Sequence, residues 1–144
     1  MKALVIDAST ALGFLMSDEQ APSALRALQA METGTPVHVP AHWWLEVANG
    51  LTMAERRQRA TQADITEALY LVQALPVTTD DETARRSGSE IAALARQYGL
   101  SIYDAAYLDL AMRRGATLAT DDRLLGQAAT AAGVPLLNAT QGPK

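Results

Sequence analysis

The feature that most constrains the fold is an alternation of short aliphatic runs with longer helical stretches. Four runs rich in Val, Ile, Leu, Ala and Thr predict strands; they cover residues 2–6, 37–39, 77–79 and 117–120. A fifth run, residues 135–138, predicts an edge strand. Because helical stretches separate the strands, parallel pairing through crossover connections is expected. The sequence therefore predicts an α/β fold with three α/β/α layers and a short, mostly parallel sheet of four to five strands.

The intervening stretches carry the start and stop signals of helices. Thr61 with Asp64 three residues later has the pattern of a capping box, and Gly99 and Gly115 each follow a helical stretch. The predicted helices cover residues 10–16, 22–32, 42–59, 62–75, 80–98, 102–114 and 121–132. Since there is no repeat, linker or low-complexity tract, residues 1–138 are expected to form a single domain and residues 139–144 a flexible C-terminal tail.

Composition excludes several classes of site. The 144 residues contain no cysteine, which rules out disulfides, thiolate metal sites and a cysteine nucleophile. No signal-type segment and no apolar run of about 20 residues is present, so we expect a cytoplasmic protein with no membrane partner. The formal net charge of −4 is the wrong sign for holding nucleic acid by bulk electrostatics. An RNA substrate would therefore need a divalent cation, or a basic partner protein, to neutralise acidic groups locally.

Acidic residues occur close to the predicted strand ends. Asp7 directly follows the first strand, Asp121 and Asp122 follow the fourth, and Asp104 lies in the first turn of a helix. Ligands of parallel sheets bind beyond the carboxyl ends of the strands, and Glu46, on the helix after the second strand, can reach that edge. Each acid alone also has a structural explanation, as a turn residue, a helix-dipole partner or an exposed side chain. Together, in apolar sequence surroundings, they indicate one shared site.

A cluster of carboxylates without cations must either raise its pKa values or bind a metal. Oxygen ligands without histidine or cysteine favour a hard ion, Mg²⁺ or Mn²⁺. Asp109 is expected to play a structural role, because it lies about 140° around the helix from Asp104 and can form a surface ion pair with Arg113 four residues on. His38 and His42 are interpreted as strand-end and loop residues rather than metal ligands.

Two further positions are candidates for contact with substrate. Adjacent tryptophans on a helix point about 100° apart, so at most one of Trp43 and Trp44 can lie fully in the core. We predict that Trp44 is buried and that Trp43 is the more exposed, where it could stack on an RNA base. Arg123 follows Asp122 and is the candidate for reaching a substrate phosphate, although a surface role fits it equally well.

Four segments of the chain resemble motifs of a known family. In chain order, they are similar to the four motifs of PIN-domain nucleases, and especially of the toxins in VapBC toxin–antitoxin pairs. They are residues 5–9 (Val-Ile-Asp-Ala-Ser), 44–49 (Trp-Leu-Glu-Val-Ala-Asn, preceded by Pro40), 101–107 (Ser-Ile-Tyr-Asp-Ala-Ala-Tyr) and 118–124 (Leu-Ala-Thr-Asp-Asp-Arg-Leu). The resemblance spans nearly the whole chain, with the order and spacing that the family has.

The resemblance implies an activity and a set of residues for it. It implies an endoribonuclease that depends on Mg²⁺ or Mn²⁺ and acts as the toxin of a type II pair, with an RNA substrate, an antitoxin partner and a homodimer. The catalytic, metal-holding acids would be Asp7, Glu46, Asp104 and Asp122. The family pattern of threonine, any residue, aspartate selects Asp122 over Asp121. The accessory polar groups would be Ser9, Asn49, Thr120 and Asp121. The number of metal ions and the identity of the general base stay open.

Two alternative functions are also considered. One is a catalytically silent PIN-like module that only binds partners, which the presence of all four acids disfavours. The other is a phosphotransfer domain with Asp7 as its covalent nucleophile. The dehalogenase-type version requires a second aspartate two residues later, where this chain has Ser9, and the receiver-type version requires a lysine near the last strands, where there is none.

Overall fold

A computed structural model describes residues 1–16 and 22–137 of the chain. Its sheet has four strands, in the order β3-β2-β1-β4. They are β1 (Leu4–Ile6), β2 (Val37–Val39), β3 (Val77–Thr79) and β4 (Thr117–Ala119). Every pair of neighbouring strands is parallel, and Leu4 of β1 lies opposite Val37 on one side and Thr117 on the other. The sheet is therefore wholly parallel, with β1 inside it.

The described residues form eight helices around this sheet. They are α1 (Ala8–Leu15), α2 (Pro22–Glu32), α3 (Trp43–Arg56), α4 (Gln62–Gln73), α5 (Thr83–Arg86), α6 (Glu90–Tyr98), α7 (Ile102–Arg114) and α8 (Arg123–Ala131). Helix α7 packs across β1, β2 and β4 and is flanked by α6 and α8, whereas α1, α2, α3 and α4 pack against one another. The predicted three-layer α/β/α architecture is confirmed.

The core lies between the sheet and its two helical layers. All three residues of β1 are fully buried, as a parallel strand covered on both faces requires. Helix α7 buries every residue from 105 to 111, so it is packed nearly all round rather than along one stripe. Asp104 lies in the first turn of this helix, directly before the buried residues, so its backbone position is fixed by the packing of α7.

The predicted signals at the helix ends are confirmed. Thr61 and Asp64 form the reciprocal hydrogen bonds of a capping box at the start of α4. Gly99 and Gly115 end α6 and α7 with φ of 66° and 58°, the left-handed conformation that glycine adopts without strain. Apart from residues 80–98, the predicted helices agree with the structure to within three residues at each end.

The prediction of one helix over residues 80–98 is wrong. The structure has α5 and α6 there, separated by a turn that contains Gly88. Glycine is a poor helix former, and the Ser87 hydroxyl donates to a backbone carbonyl of α5, which favours termination. Asp80 lies before both helices because its buried carboxylate pairs with Arg113 of α7.

The predicted edge strand at residues 135–138 is reduced to a single parallel bridge between Leu118 and Leu136. Asn138 and the predicted tail of residues 139–144 lie outside the described residues. Within the part of the chain that is described, no helix combines the length and the apolar character needed to cross a bilayer.

Candidate active site

Asp7 lies at the carboxyl end of β1 and is the N-cap of α1. Its Oδ1 accepts hydrogen bonds from the Thr10 backbone N–H (2.9 Å) and the Ser9 hydroxyl (2.8 Å), and its Oδ2 accepts one from the Thr120 hydroxyl. Burial raises the pKa of Asp7 above its usual value, although these hydrogen bonds act in the opposite direction. The carboxylate is thus fixed in orientation while its negative charge is only partly compensated.

Thr120 connects Asp7 to the fourth strand. Its hydroxyl donates to Asp7 and accepts from the Asp122 backbone N–H at 3.0 Å. Asp122 in turn is the N-cap of α8, and its Oδ1 accepts from the Leu125 N–H at 2.9 Å. The ends of the neighbouring strands β1 and β4 are therefore joined side chain to side chain, and each presents one aspartate at the same edge of the sheet.

Glu46 reaches this edge from the first turn of α3. Its Oε1 accepts a hydrogen bond of 2.5 Å from the hydroxyl of Tyr107 and lies 3.6 Å from Nε2 of His42. The same Nε2 donates to the backbone carbonyl of Tyr103 at 3.0 Å. His42 lies in the turn before α3, as its N-cap residue, and its ring links the start of α3 to the start of α7.

Asp104 experiences the electric field of the other three acids. Its pKa is raised above the usual value, first by burial and then by the negative charges of Asp122, Glu46 and Asp7. The side chain lies in the first turn of α7, whose N-cap Ser101 accepts the Asp104 backbone N–H at 3.1 Å. The structure thus places Asp7, Glu46 and Asp122 close enough for their charges to act on Asp104, and we call these four residues the acidic cluster.

The chemistry of this cluster fits a divalent cation. Among the described residues, no lysine or arginine forms an ion pair with any of the four acids, so no such ion pair offsets their mutual repulsion there. No three of the four, however, place ligand oxygens within 4.8 Å of one another. Binding one ion through three of these carboxylates would therefore require their side chains to move closer together.

A tighter acidic group lies elsewhere. Asp80, Asp81 and Glu82 place three carboxylate oxygens within 4.8 Å of one another. Both oxygens of Asp80, however, accept hydrogen bonds from Arg113, at 3.1 and 2.8 Å, and Thr83 donates a further one. Because a cation of the protein already occupies its buried member, we assign this group to fold stability and not to metal binding.

Asp109 belongs to the same ion-pair network. Its carboxylate accepts from Arg86 at 2.7 and 2.9 Å and from Arg113 at 2.9 Å. The pairing of Asp109 with Arg113 and its structural role agree with the prediction, but the predicted surface location is wrong, since only 4% of the Asp109 side chain is exposed. The network connects α5, α7 and the end of β3.

Asp121 turns away from the acidic cluster. Its Oδ2 accepts from the Ser23 hydroxyl at 2.8 Å and its Oδ1 from the Ser23 backbone N–H at 3.3 Å, so it caps the start of α2 from across the fold. The Ser23 hydroxyl also contacts the Thr10 hydroxyl at 2.7 Å. Asp121 therefore attaches α2 to the end of β4.

The remaining candidates are divided between surface and core. Arg123 is exposed at the first residue of α8 and lines an open groove with Asp122. Asn49 is exposed and forms no hydrogen bond with Glu46 in the described structure. The assignment of the two tryptophans is wrong: Trp43 is fully buried, so it cannot stack on RNA, whereas Trp44 is partly exposed.

Sequence reasoning did not identify the contacts that hold Glu46. Tyr107 lies 61 residues from Glu46 and His42 makes its hydrogen bond across the same interval, so no local pattern reveals either contact. The available signal was helical spacing: His42 lies four residues before Glu46, and Tyr107 lies three residues after Asp104 on the same helix.

The parallel sheet between two helical layers, with carboxylates at the carboxyl ends of β1 and β4, defines a class of α/β protein with an acidic site. A family model described as PIN domain matches residues 4–131. The chain belongs to the PIN-domain family.

Individual proteins agree with this assignment. The chain is 33% identical over 125 residues to Ribonuclease VapC3 of Mycobacterium tuberculosis (strain CDC 1551 / Oshkosh), covering 87% of this chain and 86% of that protein. The crystal structure of PAE2754 from Pyrobaculum aerophilum superimposes with a TM-score of 0.66 at 22% identity, over 88% of this chain and 78% of the other. The structure of VapBC2 from Rickettsia felis, bound to a DNA fragment from their promoter, gives 0.57 at 14% identity, over 83% and 87%. The two solved structures establish the likeness of fold.

Proposed function

We propose that this protein is an endoribonuclease that depends on Mg²⁺ or Mn²⁺ and acts in the cytoplasm as the toxin of a type II toxin–antitoxin pair. The observation that carries the proposal is the convergence of four acids at one edge of the sheet: Thr120 joins Asp7 to Asp122, and Tyr107 of α7, the helix that carries Asp104, donates to Glu46. The similarity to a protein named Ribonuclease VapC3 supports RNA as the substrate.

We propose one shared role for the four acids and separate roles for the polar groups around them. Asp7, Glu46, Asp104 and Asp122 would hold the ion, which when bound lowers the pKa of a water molecule and stabilises charge on the scissile phosphate. Ser9 and Thr120 orient Asp7. Arg123, exposed next to Asp122 at the start of α8, would contact a phosphate of the substrate. Phosphotransfer by Asp7 remains disfavoured, because the residue two positions later is Ser9 and not a second aspartate.

The test compares RNA cleavage by the wild type and by Asp104→Asn, with Mg²⁺ or Mn²⁺ and with a chelator. Asp81→Asn is the matched control, since it removes the charge of an exposed aspartate outside the cluster. We expect the wild type and Asp81→Asn to cleave only with metal, and Asp104→Asn to lose cleavage by 10²-fold or more, a magnitude typical of losing a group that acts in the transition state. Cleavage that survives both the chelator and the Asp104 substitution would refute the proposal.

The proposed partners are an antitoxin and a second copy of this chain. A solved VapBC structure with the same fold supports the antitoxin. Apolar side chains next to the site support self-association: Leu45 is 74% exposed, Tyr103 62% and Ile102 42%. Sedimentation should show a dimer for the wild type and a monomer for Leu45→Asp, which adds a charge at this surface. A wild type that sediments as a monomer would contradict the homodimer.

A further inference from the structure

The contact between Tyr107 and Glu46 is not explained by packing alone. Tyr107 is only 1% exposed and lies within the buried run of α7, while its hydroxyl emerges beside the acidic cluster and donates to Glu46 Oε1 at 2.5 Å. Since a carboxylate oxygen can only accept, the Tyr107 hydroxyl is the donor in this hydrogen bond.

Glu46 needs an external group to fix its conformation. About a third of its side chain is exposed, and a glutamate with such exposure loses considerable rotamer entropy when it is held in one orientation. Tyr107 is suited to supply that restraint, because its ring is packed in the core on a helix that contacts three strands. Oε2 of Glu46 accepts no hydrogen bond from the described residues, so only one of its two oxygens is held.

His42 completes the arrangement. Its ring lies edge-on to that of Tyr107, with centroids 5.1 Å apart, and its Nε2 hydrogen bond to the Tyr103 carbonyl joins α3 to α7. These contacts keep the hydroxyl of Tyr107 within hydrogen-bond distance of Glu46, although the two residues are 61 positions apart in sequence.

We propose that Tyr107 is a positioning residue, whose hydroxyl holds Glu46 Oε1 so that the glutamate presents its carboxylate to a divalent cation in the acidic cluster. The inference rests on the proposed function, since it requires that the cluster binds a metal. Groups that orient metal ligands commonly affect metal affinity by 10–100-fold when they are removed. A residue that served only the core would change stability and leave metal affinity unaltered.

The test is Mn²⁺ titration of the metal-free protein, followed by calorimetry or by electron paramagnetic resonance of free Mn²⁺, with no RNA present. Tyr107→Phe keeps the buried ring and removes only the hydroxyl. Tyr70→Phe is the matched control, because it removes the same group from a tyrosine that is 74% exposed on α4. We expect Tyr107→Phe to weaken Mn²⁺ binding by about 10-fold or more and Tyr70→Phe to bind as the wild type does.

A double-mutant cycle tests whether Tyr107 acts through Glu46. In a Glu46→Gln background, adding Tyr107→Phe should produce little further loss of Mn²⁺ affinity. Equal affinity of Tyr107→Phe and the wild type would overturn the inference, and so would a full loss that persists without the Glu46 carboxylate. If the wild type itself binds no Mn²⁺, the proposed function fails and the inference fails with it.

The wild-type protein provides a second measurement that does not depend on how the variant folds. A hydroxyl proton that is buried and donated to a carboxylate exchanges slowly with water, so it can be observed by NMR. We expect the Tyr107 hydroxyl resonance to shift as Mg²⁺ is added and Glu46 becomes a ligand. Saturation with Mg²⁺ that leaves this resonance unchanged would overturn the inference.

Discussion

A single hydroxyl group, that of Thr120, organises much of the acidic cluster at the scale of residues. It donates to Asp7 and accepts from the Asp122 backbone, so two aspartates on different strands are held by one side chain. For Asp104, a side-chain hydrogen bond with Ser101 lowers the pKa, but burial and the negative charges of the other three acids outweigh it and raise the pKa. The charge of Asp104 is therefore only partly compensated, which has a measurable effect on stability.

Asp104→Asn is predicted to stabilise the metal-free protein at neutral pH. The pKa of Asp104 is raised in the folded state, so folding favours the protonated form. The resulting destabilisation appears as pH rises above the ordinary value of 3.8 towards the folded-state pKa, and it is complete above that. Thermal unfolding in chelator should give Asp104→Asn a higher melting temperature than the wild type at pH 7, and the difference should disappear below pH 4. A lower melting temperature for the variant at pH 7 would contradict the prediction.

Trp43→Ala is predicted to destabilise the protein by about 3–5 kcal/mol, the usual range for removing a large aromatic side chain from a core. Trp43 is fully buried, so the loss comes from the cavity and from lost contacts. Trp43→Phe should fold and should bind RNA as the wild type does, because the side chain is not at the surface. Urea unfolding measures the first effect and an RNA-binding assay the second. Weaker RNA binding by a fully folded Trp43→Phe variant would contradict this prediction and support stacking of Trp43 on an RNA base.

The error over the two tryptophans shows where sequence reasoning ends. Burial of either tryptophan is compatible with the helical period of α3. Trp43 shares one face with Val47 and Leu51, and Trp44 also lies near that face, three residues before Val47. The choice between them depends on a contact outside the helix, the hydrogen bond of 2.8 Å from Trp44 Nε1 to Thr79 at the end of β3. Composition and periodicity along α3 contain no information about that partner.

At the scale of elements, features that depend on neighbouring residues were predictable and features that depend on distant ones were not. The capping box of α4 and the glycine that ends α7 are local, and both occur as expected. The pairing of Asp80 with Arg113, 33 residues later, is not local, and the sequence did not predict that Asp80 lies outside the helices. The shared location of Asp7 and Asp122 followed from the rule that the carboxyl ends of parallel strands lie at one edge. The group that holds Glu46, the Tyr107 hydroxyl, could not be predicted, because it lies on the distant helix α7.

Arg113 is predicted to be the main electrostatic link between these elements. Burial opposes ionisation of Asp80, but hydrogen bonds from Arg113 and Thr83 outweigh it and hold the pKa of Asp80 below its usual value. Removing Arg113 takes away the cation that pairs with the fully buried Asp80 carboxylate. Arg113→Ala should therefore destabilise the protein by about 3–5 kcal/mol.

Arg114→Ala is the matched control for this prediction, since Arg114 is the exposed neighbour on the same helix. It should change the free energy of unfolding by less than about 0.5 kcal/mol. In the wild type, the contribution of Asp80 should be lost as pH falls below 3.8 through the folded-state pKa, because the unfolded chain then binds the proton first. Similar urea midpoints for the two arginine variants would show that the network contributes little.

At the scale of the whole molecule, the net charge of −4 and the acidic cluster both oppose the approach of a polyanion such as RNA. The chain gains little from long-range attraction to a polyanion, and its site concentrates negative charge where RNA would have to approach. A divalent cation therefore has two effects: it offsets repulsion within the fold, and it makes the site accessible to phosphate. Both effects are linked to folding, because the unfolded chain does not bring the four acids together.

Mn²⁺ is accordingly predicted to stabilise the folded protein. A ligand that binds only the folded state at 100 times its dissociation constant adds about 2.7 kcal/mol, so the melting temperature should rise with Mn²⁺ concentration. Asp104→Asn, which starts from the higher melting temperature in chelator, should gain much less, and the order of the two proteins should reverse at saturating Mn²⁺. Asp81→Asn should follow the wild type, because Asp81 lies in the separate group already paired with Arg113. Equal gains for the wild type and Asp104→Asn would place the bound ion away from the cluster, whereas a gain lost only in Asp81→Asn would assign it to the second acidic group.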